Sequence, residues 1–178
     1  MTDDNHPDPG KAPLLITAQL PRDVFAWAEG LRRAHFPPER NKVHAHVTLF
    51  NSLPWRVEDE VRRMLARHAA AAPPSATITG IMPLGGGTAF AISSPALSTI
   101  HEEMVESLHG LLTAQDGARR KLHVTVQNKV SGIEAKALQA ELTHDFRPRQ
   151  FAFAALDLHR YLGGHWEDAG TWPFRGSR

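Results

Sequence analysis

The sequence has no cysteine among its 178 residues. This excludes a disulfide framework, a thiolate nucleophile and a cysteine-ligated metal site. No apolar run approaches the roughly 20 residues needed to span a bilayer. Neither sign of charge is in excess, since 20 lysines and arginines stand against 19 acidic residues. An anionic ligand must therefore be held by a local group of side chains and not by an overall positive field.

The N-terminal residues differ in composition from the rest of the chain. Residues 1–11 are polar, acidic and proline-containing, unlike the basic-then-apolar order of a signal peptide. We predict a disordered tail over residues 1–11 and a single domain over 12–178. The hydrophobic fraction of 42% is enough to bury one core in such a domain. We expect a cytoplasmic protein without membrane attachment, and the sequence indicates no obligate protein partner.

Strand and helix patterns alternate along the domain. The order strand, helix, strand, helix, strand is predicted over residues 12–83 and again over 88–174, with corresponding elements about 75 to 77 residues apart. We interpret this as a duplication, although an α+β chain of this size can alternate elements without one. The predicted strands cover residues 12–19, 43–50, 75–82, 88–92, 121–127, 150–158 and 165–172. The fold class is α+β, a duplicated two-lobed β-α-β-α-β architecture with antiparallel-rich sheets lining a central cleft.

Two of the predicted strands share a polar pattern. One face of the first presents His44, His46, Thr48 and Phe50. One face of the second presents Lys121, His123, Thr125 and Gln127. The shared kernel is His-Val-Thr followed by an apolar residue, at equivalent places in the two repeats. The alternative is two unrelated, half-exposed strands that happen to contain histidine.

The spacing of this kernel has a chemical use. Residues two apart on a strand project in parallel, so an imidazole and a hydroxyl can reach the same small anion. Histidine titrates near neutral pH, and threonine donates a hydrogen bond without changing charge. Two such pairs from facing halves would place His46 and His123 on either side of one phosphate. That arrangement predicts concerted acid–base catalysis that needs neither a metal ion nor another cofactor.

The segments His-Val-Thr-Leu over 46–49 and His-Val-Thr-Val over 123–126 resemble the paired signatures of the two-histidine phosphoesterase superfamily. That superfamily includes bacterial 2'-5' RNA ligases and cyclic nucleotide phosphodiesterases. The resemblance covers about residues 12–174. It implies a cleft between two lobes with both motifs on its floor.

The resemblance also implies roles for individual residues. His46 and His123 would be the catalytic pair, and Thr48 and Thr125 would hold phosphate oxygens. The implied substrate is a 2',3'-cyclic phosphate end of RNA or a small cyclic nucleotide. The implied reaction is hydrolysis, with reversible 2'-5' ligation of RNA as a second activity.

Four further residues are candidates for substrate contacts: His44, Phe50, Gln127 and Lys129. Phe50 could stack on a base, and burial in the core is its alternative role. RNA-ligase-like members often carry an arginine shortly after the second motif, where this chain has Gln127, Asn128 and then Lys129. We expect Lys129 to supply the missing charge if the strand bulges there.

Two other functions stay open. His44 and His46 lie on one predicted strand face as paired metal ligands would, although no third ligand is evident. Activity that persists in a strong chelator would exclude this metal-dependent alternative. The second alternative is a binding module that holds a nucleotide or RNA end in the same cleft without a reaction. Turnover of a cyclic-phosphate oligonucleotide would exclude it.

Overall fold

The computed structural model describes residues 8–177, which form a mixed α+β fold around one eight-stranded sheet. The strands are β1 (Leu14–Gln19), β2 (Val47–Leu53), β3 (Ser75–Pro83), β4 (Thr88–Ser93), β5 (His123–Gln127), β6 (Arg149–Ala152), β7 (Ala155–Tyr161) and β8 (Trp166–Pro173). The helices are α1 (Arg22–His35), α2 (Glu58–Ala69), α3 (Pro95–Ser107), α4 (Ala114–Gly117) and α5 (Gly132–His144). The strand pairings between residues 8 and 177 are antiparallel.

The strand order β6-β3-β4-β5-β2-β1-β7-β8 divides the sheet into two lobes of four strands. The first lobe consists of β2, β1, β7 and β8, and the second of β5, β4, β3 and β6. The two central strands, β2 and β5, pair only through Val47 and Val124 among the residues that the structure describes. Neighbouring strands within each lobe pair over at least four positions. The predicted two-lobed α+β architecture is confirmed.

The first half of the chain contributes one strand to the second lobe, and the second half contributes two strands, β7 and β8, to the first lobe. β3, from the first predicted repeat, pairs with β4 and β6, whereas β7, from the second, pairs with β1. The prediction of one strand over residues 150–158 was wrong, because the chain changes lobes within that segment. At the change, Phe153 N donates to the carbonyl of Pro74 and Ala154 N to that of Gln19, at 3.0 and 2.9 Å. Each lobe is therefore built from both halves of the sequence.

The two faces of the sheet differ in polarity because side chains alternate along each strand. The apolar face carries Ile16, Val47, Val124 and Leu158, which are fully buried in one core cluster with residues of α1, α2 and α3. The opposite face carries polar residues, including Thr17 beside Thr48 of the first motif. The polar residues of the motifs thus lie on the face opposite this core cluster, which we call the open face.

Local sequence signals account for the ends of several elements. Ser131 and Glu134, which have the Ser-x-x-Glu spacing of a capping box, form that motif at the start of α5. Residues 1–7 of the predicted tail lie outside the described residues, and Pro9–Lys11 form a short 3₁₀ turn. In that turn, Asp8 Oδ1 accepts a hydrogen bond of 3.0 Å from Gly10 N.

None of the helices within residues 8–177 has the length and apolarity needed to cross a membrane.

Candidate active site

The two predicted His–Thr pairs meet where the lobes join. Because Val47 lies opposite Val124 in antiparallel register, His46 lies beside Thr125, and Thr48 lies beside His123. These four side chains, all half-buried, share the open face of the sheet. Diagonal neighbours on adjacent strands are roughly 7 to 8 Å apart, which leaves room for one phosphate between the imidazoles. The structure therefore brings together all four residues that the kernel predicted.

Both imidazoles are held in the same way. His46 Nδ1 lies 2.6 Å from the carbonyl oxygen of His44, and His123 Nδ1 lies 2.8 Å from that of Lys121. A carbonyl oxygen only accepts, so Nδ1 carries the proton and donates in each case. Nε2 is then the ring nitrogen that takes up or releases a proton in the cleft.

The surroundings of His46 favour its uncharged form. Burial lowers its pKa from 6.5 to about 4, against the raising effect of its hydrogen bond to the His44 carbonyl. The positive charges of Arg32, His159 and His123 lower this pKa further. At neutral pH the Nε2 atom of His46 is therefore free of a proton and can act as a base.

The first motif strand bulges directly after its threonine. β2 pairs with β1 through Thr48 and Thr17, and the next pair is Phe50 with Ile16, so Leu49 is an extra residue. The bulge turns Phe50 from the open face to the apolar face, where it is fully buried. The predicted contact of Phe50 with substrate was therefore wrong, and its alternative role in the core is the observed one.

The second motif strand bulges at the equivalent place. β5 pairs with β4 through Thr125 and Ala89, and the next pair is Gln127 with Thr88, so Val126 is the extra residue. Gln127 is 5% exposed, and its Oε1 accepts a hydrogen bond of 3.0 Å from Thr88 Oγ1. The predicted substrate contact of Gln127 was wrong for the same reason as that of Phe50.

The other two candidate contacts lie at the surface. The His44 side chain is 82% exposed, and its Nδ1 lies 3.1 Å from Glu29 Oε1. Lys129 is exposed, in the left-handed region at φ 62°, two residues after the end of β5. The bulge falls at Val126 and not at Lys129, so the condition attached to the Lys129 prediction is not met. A role for His44 stays a prediction.

A pocket of about 790 Å³ adjoins His46 on the first lobe. The ring centroid of Trp166 lies 4.8 Å from that of His46 and 5.2 Å from that of His159. His159 Nδ1 donates to Asp168 Oδ1 at 3.0 Å, and its Nε2 lies 2.9 Å from Thr17 Oγ1. Sequence reasoning missed this group. The alternation of polar and apolar residues along β7 was the available signal for His159.

Metal ligation was tested against the arrangement of possible donors. In the described part of the chain, no three histidine, aspartate or glutamate side chains are grouped so as to hold a metal ion. His44 and His46 therefore have no third ligand beside them within these residues, and the Nδ1 atoms of both rings contact other protein oxygens.

The geometry defines a class of protein, a two-lobed α+β domain in which each central strand presents one His–Thr pair to a shared cleft. The chain belongs to the 2'-5' RNA ligase superfamily of two-histidine phosphoesterases, whose family model matches residues 20–165. No curated protein sequence is significantly similar to the chain.

Solved structures share the fold at low sequence identity. TT0787 of Thermus thermophilus matches with a TM-score of 0.61 and 16% identity, over 93% of this chain and 100% of that one. E. coli LigT complexed with 3'-AMP matches with a TM-score of 0.53 and 16% identity, over 92% and 98%. E. coli LigT complexed with phosphate matches with a TM-score of 0.50 and 19% identity, over 92% and 98%.

Proposed function

We propose that the protein is a metal-independent phosphodiesterase that opens 2',3'-cyclic phosphates, at RNA ends or in small nucleotides, through His46 and His123. The observation that carries the proposal is the pairing of Val47 with Val124, which sets two imidazoles around one gap. Membership of the 2'-5' RNA ligase superfamily supports the reaction class. The complexes of LigT with 3'-AMP and with phosphate support a nucleotide substrate.

In the proposed mechanism, His46 is the initial base. Its Nε2 takes a proton from water while the water oxygen forms a bond to phosphorus. The bond from phosphorus to one ribose oxygen breaks, and His123 Nε2–H protonates that oxygen. The cyclic diester becomes a monoester, the family resemblance favouring a 2'-phosphate, and one water molecule is consumed. When a 5'-hydroxyl group of RNA takes the place of water, the same step joins two RNA ends through a 2'-5' bond: His46 takes the hydroxyl proton, the 5' oxygen bonds to phosphorus, and His123 protonates the departing 3' oxygen.

The threonines complete the proposed site. Thr48 and Thr125 project from the same face as the histidines, each beside the histidine of the other strand. Their hydroxyl groups donate hydrogen bonds to the two non-bridging phosphate oxygens. Negative charge builds up on these oxygens as the water attacks, so the hydrogen bonds strengthen in the transition state.

The first test is the loss of each histidine. His46→Ala and His123→Ala are each expected to lower kcat by about 10²- to 10⁴-fold or more, because a positioned acid or base contributes a factor in that range. The measurement is product analysis on an oligonucleotide with a 2',3'-cyclic phosphate end, in a strong chelator. His109→Ala, at an exposed histidine after α3, is the control.

Several results would contradict the proposal. Near-full hydrolysis by either alanine variant would exclude the paired mechanism. Loss of wild-type activity in the chelator would point to the metal-dependent alternative. Binding of the oligonucleotide without any product would show a binding module. Small cyclic nucleotides, assayed in parallel, separate an RNA-end substrate from a free nucleotide.

A further inference from the structure

The join between the lobes lies directly under the two His–Thr pairs. These pairs lie in β5 and in β2 with His46 directly before it, and the two strands pair at Val47 and Val124 alone within the described residues. The backbone carbonyls of Thr48 and Thr125, next to that position, must find partners because unpaired buried carbonyls are costly. Each of the two carbonyls accepts a hydrogen bond from an arginine side chain.

Arg32 of α1 links β5 to the segment that leads to the first histidine. Its side chain is buried, and Nη1 donates to the carbonyl of Thr125 at 2.8 Å. Nη2 donates to the carbonyl of Val43 at 2.9 Å, and Nη2 and Nε both donate to Asn41 Oδ1, at 2.8 and 3.2 Å. Since Val43 lies three residues before His46, one guanidinium group connects the second motif to the approach of the first.

Glu29, one turn before Arg32 on α1, holds the same segment. Glu29 is 5% exposed, and its Oε2 accepts a hydrogen bond of 2.8 Å from Ala45 N. Residues 43–46 are thus fixed by α1 and not by a neighbouring strand. This explains why β2 begins at Val47, although the alternation predicted a strand from residue 43.

Arg120 makes the reciprocal contact from the second half of the chain. Its Nε donates to the carbonyl of Thr48 at 3.0 Å, and its side chain is 11% exposed. Arg120 Nη1 lies 3.9 Å from Asp116 Oδ1. Asp116 is fully buried and accepts hydrogen bonds of 2.8 Å from the backbone N–H groups of Asn51 and Ser52. The segment before β5 therefore holds β2 on both sides of the bulge.

We propose that Arg32 and Arg120 are positioning residues that cross the join in opposite directions and fix the separation of the two His–Thr pairs. The inference rests on the proposed function, which needs both imidazoles on one phosphate. The Arg32 side chain is buried and that of Arg120 is largely buried, and both act through backbone carbonyls. The planar guanidinium of Arg32 serves three acceptors at once, which a lysine ammonium on a flexible stem does not reproduce.

Charge and geometry can be separated at position 32. Arg32→Lys keeps the positive charge and loses the fork of donors, whereas Arg32→Met loses both. The charge of Arg32 is one cause of the lowered pKa of His46. Arg32→Met is therefore expected to move the acid limb of kcat/KM to higher pH, and Arg32→Lys is expected to leave that limb in place.

The kinetic test compares lysine variants at buried and exposed arginines. Arg32→Lys and Arg120→Lys are each expected to lower kcat about 10- to 100-fold on a 2',3'-cyclic mononucleotide, with little change in KM, because small displacements of catalytic groups have effects of this size. Arg33→Lys and Arg119→Lys make the same exchange at exposed neighbouring positions and are expected to keep wild-type kcat. Equal kcat in all four variants would overturn the proposal.

A second readout does not depend on turnover. Inorganic phosphate, titrated into wild-type protein, is expected to shift the imidazole NMR signals of His46 and His123 with a single Kd. In Arg32→Lys and Arg120→Lys that Kd is expected to rise about 10-fold, the lower end of the geometric effect. If both variants show the wild-type Kd for phosphate, with the signals of both histidines shifting together, the proposal is overturned. This conclusion does not depend on turnover. Absence of cyclic phosphate turnover in wild-type protein would separately reject the proposed function.

A milder variant keeps the proposal testable if a lysine variant does not fold. Asn41→Ala removes the acceptor that holds the outer side of the Arg32 guanidinium and leaves Arg32 itself in place. It is expected to lower kcat in the same direction by a smaller factor, with a phosphate Kd above that of wild-type protein. Wild-type kcat and wild-type Kd in Asn41→Ala would contradict the role of Arg32.

Discussion

At the scale of single residues, two identical kernels have different neighbours. The Trp166 ring lies between 4.8 and 5.2 Å from the rings of His46 and His159, whereas His123 lies opposite Ala91 of β4. Each imidazole is aligned by a backbone carbonyl two residues earlier, which is a property of the local chain. The burial that lowers the pKa of His46 comes from the fold, and it is the reason for proposing His46 as the base.

The first residue-scale prediction concerns the acid limb of the pH–rate profile. His46 must be uncharged to accept a proton, so kcat/KM is expected to fall only as the pH drops toward about 4, the lowered pKa. Trp166→Ala opens the corner around His46 to water and is expected to move the acid limb toward neutral pH. Steady-state kinetics and NMR titration of the His46 ring measure both effects. An acid limb near 6.5 in wild-type protein would contradict the assignment of His46 as base.

At the scale of strands, the equivalent bulges at Leu49 and Val126 decide which residues face the cleft. Strict alternation placed Phe50 and Gln127 on the same side as the histidines, and one extra residue in each strand reversed this. The bulges occur at corresponding positions of the two motifs, which agrees with the predicted duplication. Alternation is thus a dependable guide only up to the threonine.

The element-scale prediction separates a core role of Phe50 from a substrate contact. Phe50→Ala is expected to lower the free energy of unfolding by about 3 to 5 kcal/mol, because it leaves a cavity in a packed core. Its KM for a cyclic nucleotide is expected to match that of wild-type protein. Chemical denaturation and steady-state kinetics provide the two measurements. Trp55→Ala, at a 40% exposed ring, is the control with a smaller effect on stability. A raised KM with unchanged stability would restore the stacking role.

At the scale of the whole molecule, one core cluster runs through both lobes. Because β3 lies in the second lobe and β7 and β8 lie in the first, unfolding of either lobe disrupts strands from both halves of the chain. Two histidines of α2 and α3 are part of this interior, since His68 is 8% and His101 is 2% exposed. Within residues 8–177, the Nε2 atoms of these two are the buried side-chain nitrogens or oxygens that lack a hydrogen-bond partner in the protein.

The whole-molecule prediction is a loss of stability in mild acid. Burial lowers the pKa of His68 and of His101 below the ordinary 6.5, as it does the pKa of His46 in the cleft. The unfolded chain therefore binds protons that the folded protein does not, and the free energy of unfolding falls as the pH decreases below about 6.5. The slope is up to about 1.4 kcal/mol per pH unit for each histidine. Urea denaturation between about pH 5 and 7 measures this slope.

A pair of variants identifies the histidines responsible. His101→Leu removes one buried imidazole and is expected to flatten the pH dependence of the unfolding free energy. His144→Gln, at an exposed histidine of α5, is expected to leave the slope at the wild-type value. An unfolding free energy that stays constant across this pH range in wild-type protein would show that neither buried imidazole resists protonation.

The sequence by itself determined the fold class, the four residues of the His–Thr kernel and the capping box of α5. These features follow from local periodicity and from residues two or three apart, which a single strand or helix turn expresses directly. The same local reasoning failed for residues 150–158, where one apolar run serves two strands. No local pattern specifies which partner strand an apolar segment joins.

Only the tertiary structure decided that the pKa of His46 is lowered, where the strands bulge and which side chains connect the two motifs. Each of these depends on residues far apart in sequence, such as Arg32 with Thr125 or Phe50 with Ile16. Burial and strand register are properties of the assembled sheet, because they depend on what lies opposite and above a residue. The spacing of residues along the chain was enough to predict the two His–Thr pairs, whereas the lowered pKa of His46 depends on the packed fold.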